Sequence, residues 1–86
     1  MIQYTLFYSP EAKESISKLT FKLKRISERS FLNLSGNPYT GKKLSGKLSG
    51  LYSIRITRRY RAIYRIDTVK HIIWVLEVSH RKEIYR

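Results

Sequence analysis

The segment LYSIRITRRYRAIYRID, residues 51–67, holds five arginines: Arg55, Arg58, Arg59, Arg61 and Arg65. It contains no lysine. The residues between the arginines are mostly β-branched or aromatic, so the arginines sit on strands or in the turn between them. Arginine stays protonated at physiological pH and offers a planar fork of donors that matches a phosphate. Several of them on one sheet face form an anion site. Asp67 and Glu77 could pair with two of them across strands, but two carboxylates cannot neutralise four or five arginines.

Whether these arginines converge depends on the strands that carry them. Side chains alternate along a strand. In the predicted strand 51–57, Tyr52, Ile54 and Ile56 share a face opposite Ser53 and Arg55. In 60–66, Tyr60, Ala62, Tyr64 and Ile66 oppose Arg61, Ile63 and Arg65. In 71–79, Ile72, Trp74, Leu76 and Val78 oppose Ile73, Val75, Glu77, Ser79 and, beyond the strand, Arg81. The first set of each strand is assigned to a core beneath helices. Ser53, Arg55, Arg61, Arg65, Glu77, Ser79 and Arg81 then gather on the opposite face. Thr57-Arg58-Arg59 turns the first of these strands into the second, and Asp67-Thr68-Val69-Lys70 turns the second into the third.

Upstream, IQYTLFY at 2–8 alternates as a first strand. Ser9-Pro10-Glu11 is a helix start, with serine as N-cap and proline at the first helical position. Ala12, Ile16, Leu19, Leu23 and Ile26 recur at three- and four-residue spacing, as two helices or one broken near Thr20, ending near Leu34. Residues 36–50, GNPYTGKKLSGKLSG, read as a loop. Its glycines and lysines form no phosphate-binding P-loop. The last six residues, RKEIYR, read as a polar tail. The order predicts an α+β domain: an N-terminal strand, two helices, then a three-strand antiparallel meander. The helices pack on one face of a four-stranded antiparallel sheet.

The chain of 86 residues allows one small domain, 1–86. It has no cysteine and only two histidines, His71 and His80. That excludes disulfides, thiolate metal sites and a cysteine nucleophile, and argues against zinc; no metal or cofactor is expected. No apolar run approaches the roughly 20 residues of a membrane span, and no basic region precedes the first apolar run as in a signal peptide. The expected location is cytoplasmic, with no membrane partner. The net charge is +12, from 18 basic against 6 acidic residues. Solubility alone could use such charge, but nucleic acid is its commonest reason, through release of counterions from phosphates.

KLSGLYSIRIT at 47–57, YRAIY at 60–64 and HRKEIYR at 80–86 resemble the RelE/ParE superfamily of type II toxins, in its RelE- and YoeB-like branch. The order of elements is similar too. The resemblance implies a RelE-like fold and a ribosome-dependent mRNA endoribonuclease, an enzyme without cofactor. In that activity a ribose 2′-hydroxyl attacks the adjacent phosphate in the ribosomal A site. It implies the ribosome, mRNA and a cognate RelB- or YefM-like antitoxin as partners. It places Arg61 at the phosphate-stabilising position, with Arg81, Tyr85 and Arg55 beside it as catalytic residues. It assigns RNA contact to Lys43 and Lys47, and Arg58, Arg59 and Arg65 join them as basic residues of the same region. The pattern departs from the family at Ser53, where RelE carries a lysine, and in the loop, where YoeB carries a glutamate. His80 and Glu77 remain as acid–base candidates; a histidine suits proton transfer near neutrality. Two other readings stand beside this one: a ParE-like DNA gyrase inhibitor on the same fold, and a non-catalytic RNA-binding relic.

Overall fold

In the computed structural model, which describes residues 2–84, β1 (Thr5–Tyr8) turns at Ser9 into α1 (Pro10–Ser17). Ser9 is extended (φ −67°, ψ 161°), and its Oγ accepts the Ala12 N–H at 3.0 Å. Pro10 takes the position where its missing N–H costs nothing. Thr20 repeats the device: its Oγ1 accepts the Leu23 N–H at 3.3 Å and opens α2 (Phe21–Gly36). The chain therefore forms two helices, because Thr20 caps a second start instead of continuing the first.

The meander forms as β3 (Tyr52–Arg55), β4 (Tyr60–Asp67) and β5 (Ile72–His80), antiparallel throughout. It is part of a five-stranded mixed sheet of order β1-β5-β4-β3-β2. This corrects the expected four-stranded antiparallel sheet in two ways. First, β1 pairs with β5 in parallel, Thr5 against Ile72 and Phe7 against Trp74. The helical crossover α1–α2 returns the chain to the end it started from, so β3, and after two hairpins β5, run in the direction of β1. Second, a two-residue strand, β2 (Lys42–Lys43), pairs with β3.

Residues 36–50 are thus more than a loop. They hold 3₁₀ turns at Pro38–Thr40 and Gly46–Leu48, with β2 between them. Leu44 is buried against Ile63, with Leu48, Leu51 and Leu76 packed around the pair. These leucines draw the segment onto the sheet face away from the main core. Full burial of one such side chain contributes about 1.5–3 kcal/mol.

The main core joins Ala12, Phe31 and Leu34 of the helices to Ile56, Ala62, Tyr64, Ile73, Val75 and Val78. For β3 and β4 this matches the expected faces. For β5 it does not. Ile73 and Val75 are buried under the helices, while Trp74 and Leu76, expected there, point outward with Arg65 and Ile63. Ile72, also assigned to the core, is not part of it. The register shows the reason. Tyr64 opposes Val75 but Ile63 opposes Glu77, so Leu76 is an extra residue in a β-bulge. The bulge inverts parity, which returns Val78 to the core and leaves Glu77 and Ser79 on the outer face. It lies where β1 ends: the Ser9 N–H donates to the Val75 carbonyl at 3.0 Å, and its hydroxyl to the Leu76 carbonyl at 2.9 Å.

Candidate functional site

Directly opposed residues of an antiparallel pair share a face. On the outer face Arg55 stands opposite Arg61, and Arg61 opposite Ser79. The next row is Ser53, Ile63 and Glu77, and beyond the bulge Arg65 opposes Trp74. The expected convergence of Arg55, Arg61 and Arg65 on one face therefore holds. The leucine cluster over Ile63 nevertheless splits that face into two ends.

At the first end Arg55 and Arg61 line an open cleft of about 790 Å³ with Lys42, Ser53, Thr40, and Ser30 and Asn33 of α2. Arg61 is half-buried, whereas Arg55, Arg58, Arg59, Arg65 and Arg81 are exposed. Like charges directly opposed across strands destabilise a sheet, so this pair is costly until an anion lies against it. No carboxylate among the described residues pairs with it. Among the described residues the one ion pair joins Lys18 to Glu14 at 3.5 Å, on α1. Glu77 instead accepts a hydrogen bond from the Ser79 hydroxyl at 3.0 Å. Asp67 closes its own turn, accepting the Lys70 and Val69 N–H groups at 2.9 and 3.1 Å. Those backbone donors, Lys70 first, hold its carboxyl below the usual carboxylate range.

The turn after β3 adds to the same end. Thr57 Oγ1 accepts the Arg59 and Tyr60 N–H groups, both at 3.3 Å, which presents Arg58 and Arg59 to solvent. Arg81 opens the one-turn helix α3 (Arg81–Ile84) where the polar tail was expected. Its N–H donates to the Arg59 carbonyl at 2.8 Å, which ties α3 to this turn. Arg55, Arg58, Arg59, Arg61 and Arg81 are thus brought together. Tyr85 lies outside the described residues.

Other candidates stand apart. Arg65 lies at the far end, its Cζ 5.9 Å from the centre of the Trp74 ring. Phe7 meets the same ring edge-on at 5.1 Å. His80 opposes Tyr60 on the helix side of the sheet, its ring 5.6 Å from the tyrosine ring, and its Nδ1 accepts the Lys82 N–H at 3.3 Å. Glu77 is the acid–base candidate that shares the face of Arg61. Lys47 is exposed on the second 3₁₀ turn. Lys43 opposes Tyr52, on the side opposite the arginines. It is Lys42, opposite Ser53, that lines the cleft. Lys42 was not among the expected residues because residues 36–50 read as a loop, and two adjacent lysines carry no alternation that says which one faces the arginines. Among the described residues no three His, Cys, Asp or Glu side chains group closely enough to hold a metal ion, and no helix is long and apolar enough to cross a membrane.

Residues 6–85 match the family described as "ParE toxin of type II toxin-antitoxin system, parDE". A curated relative, Toxin RelG of Mycobacterium tuberculosis, is 36% identical over 85 residues, which covers 96% of this chain and 97% of that protein. The toxin–antitoxin complex RelBE2 of Mycobacterium tuberculosis contains a chain of similar fold, with a TM-score of 0.83 and 33% identity over 93% of this chain and all (100%) of that one. The intact RelBE complex of E. coli gives a TM-score of 0.78 at 19% identity, over 90% of this chain and 95% of that one, a likeness of fold.

Proposed function

This chain belongs to the RelE/ParE superfamily and is a toxin of a type II toxin–antitoxin system, and from that premise we propose that it is an mRNA endoribonuclease acting in the ribosomal A site. The observation that carries the reading is the Arg55–Arg61 pair, opposed across β3 and β4 in an open cleft and unpaired with any carboxylate among the described residues. Such a pair suits a phosphate that gains negative charge.

In this reading the ribose 2′-oxygen attacks the adjacent phosphorus. The bond to the 5′-oxygen breaks, leaving a 2′,3′-cyclic phosphate and a free 5′-hydroxyl. Charge builds on the non-bridging oxygens, where fixed cations help most. Arg61, the less exposed of the pair, holds them, and Arg55 stands across from it. Arg81 reaches the same end through the turn at Arg59, and Tyr85 follows it in sequence to stack on or hydrogen-bond the substrate. The proton of the 2′-hydroxyl passes to Glu77 or to solvent, and the leaving oxygen takes one up. Lys42 and Lys47, with Arg58 and Arg59, contact the RNA backbone. The partner that silences the toxin is an antitoxin of the RelB or YefM type, covering the basic end.

A second reading has an observation of its own: the matching family is described as a ParE toxin. A ParE-like gyrase inhibitor needs no phosphate-stabilising pair. Purified protein added to ribosomes stalled on a defined mRNA, with primer extension to map the ends, separates the two. A cut in the A-site codon that requires both the ribosome and Arg61 is the expected result. Intact mRNA at stoichiometric toxin, together with loss of gyrase supercoiling, would establish the inhibitor.

A further inference from the structure

Tyr64 lies on the helix side of β4, fully buried and facing away from the arginines. Its ring stacks under Tyr52 at 5.6 Å and an interplanar angle of 23°. Beyond Tyr52 its hydroxyl reaches the segment that leads into β2. There it donates to the Pro38 carbonyl at 2.7 Å and accepts the Gly41 N–H at 3.1 Å. Gly41 is what makes room for this. A Cβ at that position would lie 2.4 Å from the Tyr64 hydroxyl oxygen and 2.7 Å from the Ser53 carbonyl oxygen. The very next residue is Lys42, in the cleft with Arg55 and Arg61. Strand β2 pairs with β3 at two residues only, Lys42 with Ser53 and Lys43 with Tyr52, so its ladder alone is a weak anchor for an edge.

We propose that Tyr64 is a positioning residue: from within the core, its phenol hydroxyl clamps residues 38–41 and so holds Lys42 beside the Arg55–Arg61 pair, ready for the RNA backbone. The use of Lys42 rests on the endoribonuclease reading; the clamp itself does not. Burial raises the tyrosine's pKa above its ordinary value, so the hydroxyl remains a donor to Pro38 at neutral pH. A tyrosine that merely filled the core would need its ring and not this pair of hydrogen bonds. The clamp gives the oxygen a purpose. It also accounts for glycine at position 41, where the backbone carries no left-handed angle that would call for one.

Three variants test the proposal: Tyr64→Phe, Lys42→Ala and their combination. Amide hydrogen exchange is read at Gly41, and affinity for mRNA-programmed ribosomes is read across a salt series. With the clamp as described, Tyr64→Phe speeds Gly41 exchange at least about tenfold while amides of β4 and β5 stay protected, the mark of local opening. It lowers affinity as much as Lys42→Ala does, and each reduces the slope of log affinity against log salt by roughly 0.7, the loss of one phosphate contact on a single strand. The double variant is no worse than either single one, because both remove the same contact. Unchanged Gly41 exchange, or losses that multiply in the double variant, would overturn the proposal. If Tyr64→Phe fails to fold, Gly41→Ala keeps the phenol in the sequence and breaks the clamp by setting a methyl group against the Tyr64 hydroxyl and the Ser53 carbonyl, and the same readouts apply, with exchange read at position 41. Cleavage is followed in parallel. Wild-type protein that binds but does not cut sinks the endoribonuclease reading alone, while the exchange and binding cycle still judges the clamp.

Discussion

The two ends of the outer sheet face carry arginines on the same strand, at the same parity, in different company. At one end Arg61 stands opposite Arg55, half-buried, in a cleft that Lys42 also enters. At the other, four residues along β4, Arg65 is exposed, lies over the ring of Trp74 and runs towards the self-contained turn of Asp67. The first arrangement concentrates charge that no carboxylate among the described residues pairs with. The second spreads an arginine over an apolar ring, an ordinary way for a long cation to cover a sheet face. Residue type and strand parity do not separate these two arginines. Their cross-strand partners do, and the leucine cluster over Ile63 keeps the two ends apart.

That contrast can be broken or sharpened by substitution. Tyr64→Ala removes the floor beneath both ends and is expected to destabilise the protein by about 3–5 kcal/mol, as large-to-small changes in a packed core do; urea unfolding measures it. Arg61→Ala strikes the first end alone. It should cut A-site cleavage about 10²–10³-fold, the usual loss when one fixed stabiliser of transition-state charge is removed, with an unchanged circular dichroism spectrum. A large drop in melting temperature would mean that Arg61 is chiefly structural. Arg65→Ala should leave cleavage within about threefold of wild type and cost about 0.5–1 kcal/mol of stability, the worth of an exposed cation–π contact. Equal loss of cleavage in the Arg61 and Arg65 variants would erase the distinction between the ends.

The smallest effect concerns Asp67. Its carboxyl titrates below the ordinary value when folded. Its contribution to stability is therefore present above the unfolded-state pKa and fades as pH falls through the folded one. Asp67→Asn should flatten that part of the acid limb in a pH series of unfolding midpoints and leave the midpoint's dependence near neutrality unchanged.

Much of this molecule was legible in local signals. Ser9-Pro10 marks the first helix start, because a cap needs only its own next turn, whereas the break near Thr20 became a second capped start only in the structure. The parity of β3 and β4 followed from alternation, because both strands are regular and joined by a tight turn. The outward direction of Arg55, Arg61 and Arg65 follows from it. The faces of Ile73, Trp74, Val75 and Leu76 were misread, because one bulged residue inverts everything on one side of it. Leu44 and Leu48 stand in a glycine- and lysine-rich loop, and Leu51 at the first position of a predicted strand. Their common partner, Ile63, is distant in sequence and becomes visible only once β4 is in place.

Local sequence was enough for the first helix and its start, the strands of the meander, the excess of positive charge and the arginine side of two strands. All of these depend on neighbours within a turn or a strand length. Tertiary structure decided the parallel pairing of β1 with β5, the bulge at Leu76 and the division of the outer face. It also placed Lys42, rather than Lys43, beside the arginines, through a tyrosine hydroxyl that meets a backbone more than twenty residues away. Register between distant segments is set by which packing buries the most apolar surface while satisfying every backbone donor, and a shift of one residue exchanges the faces.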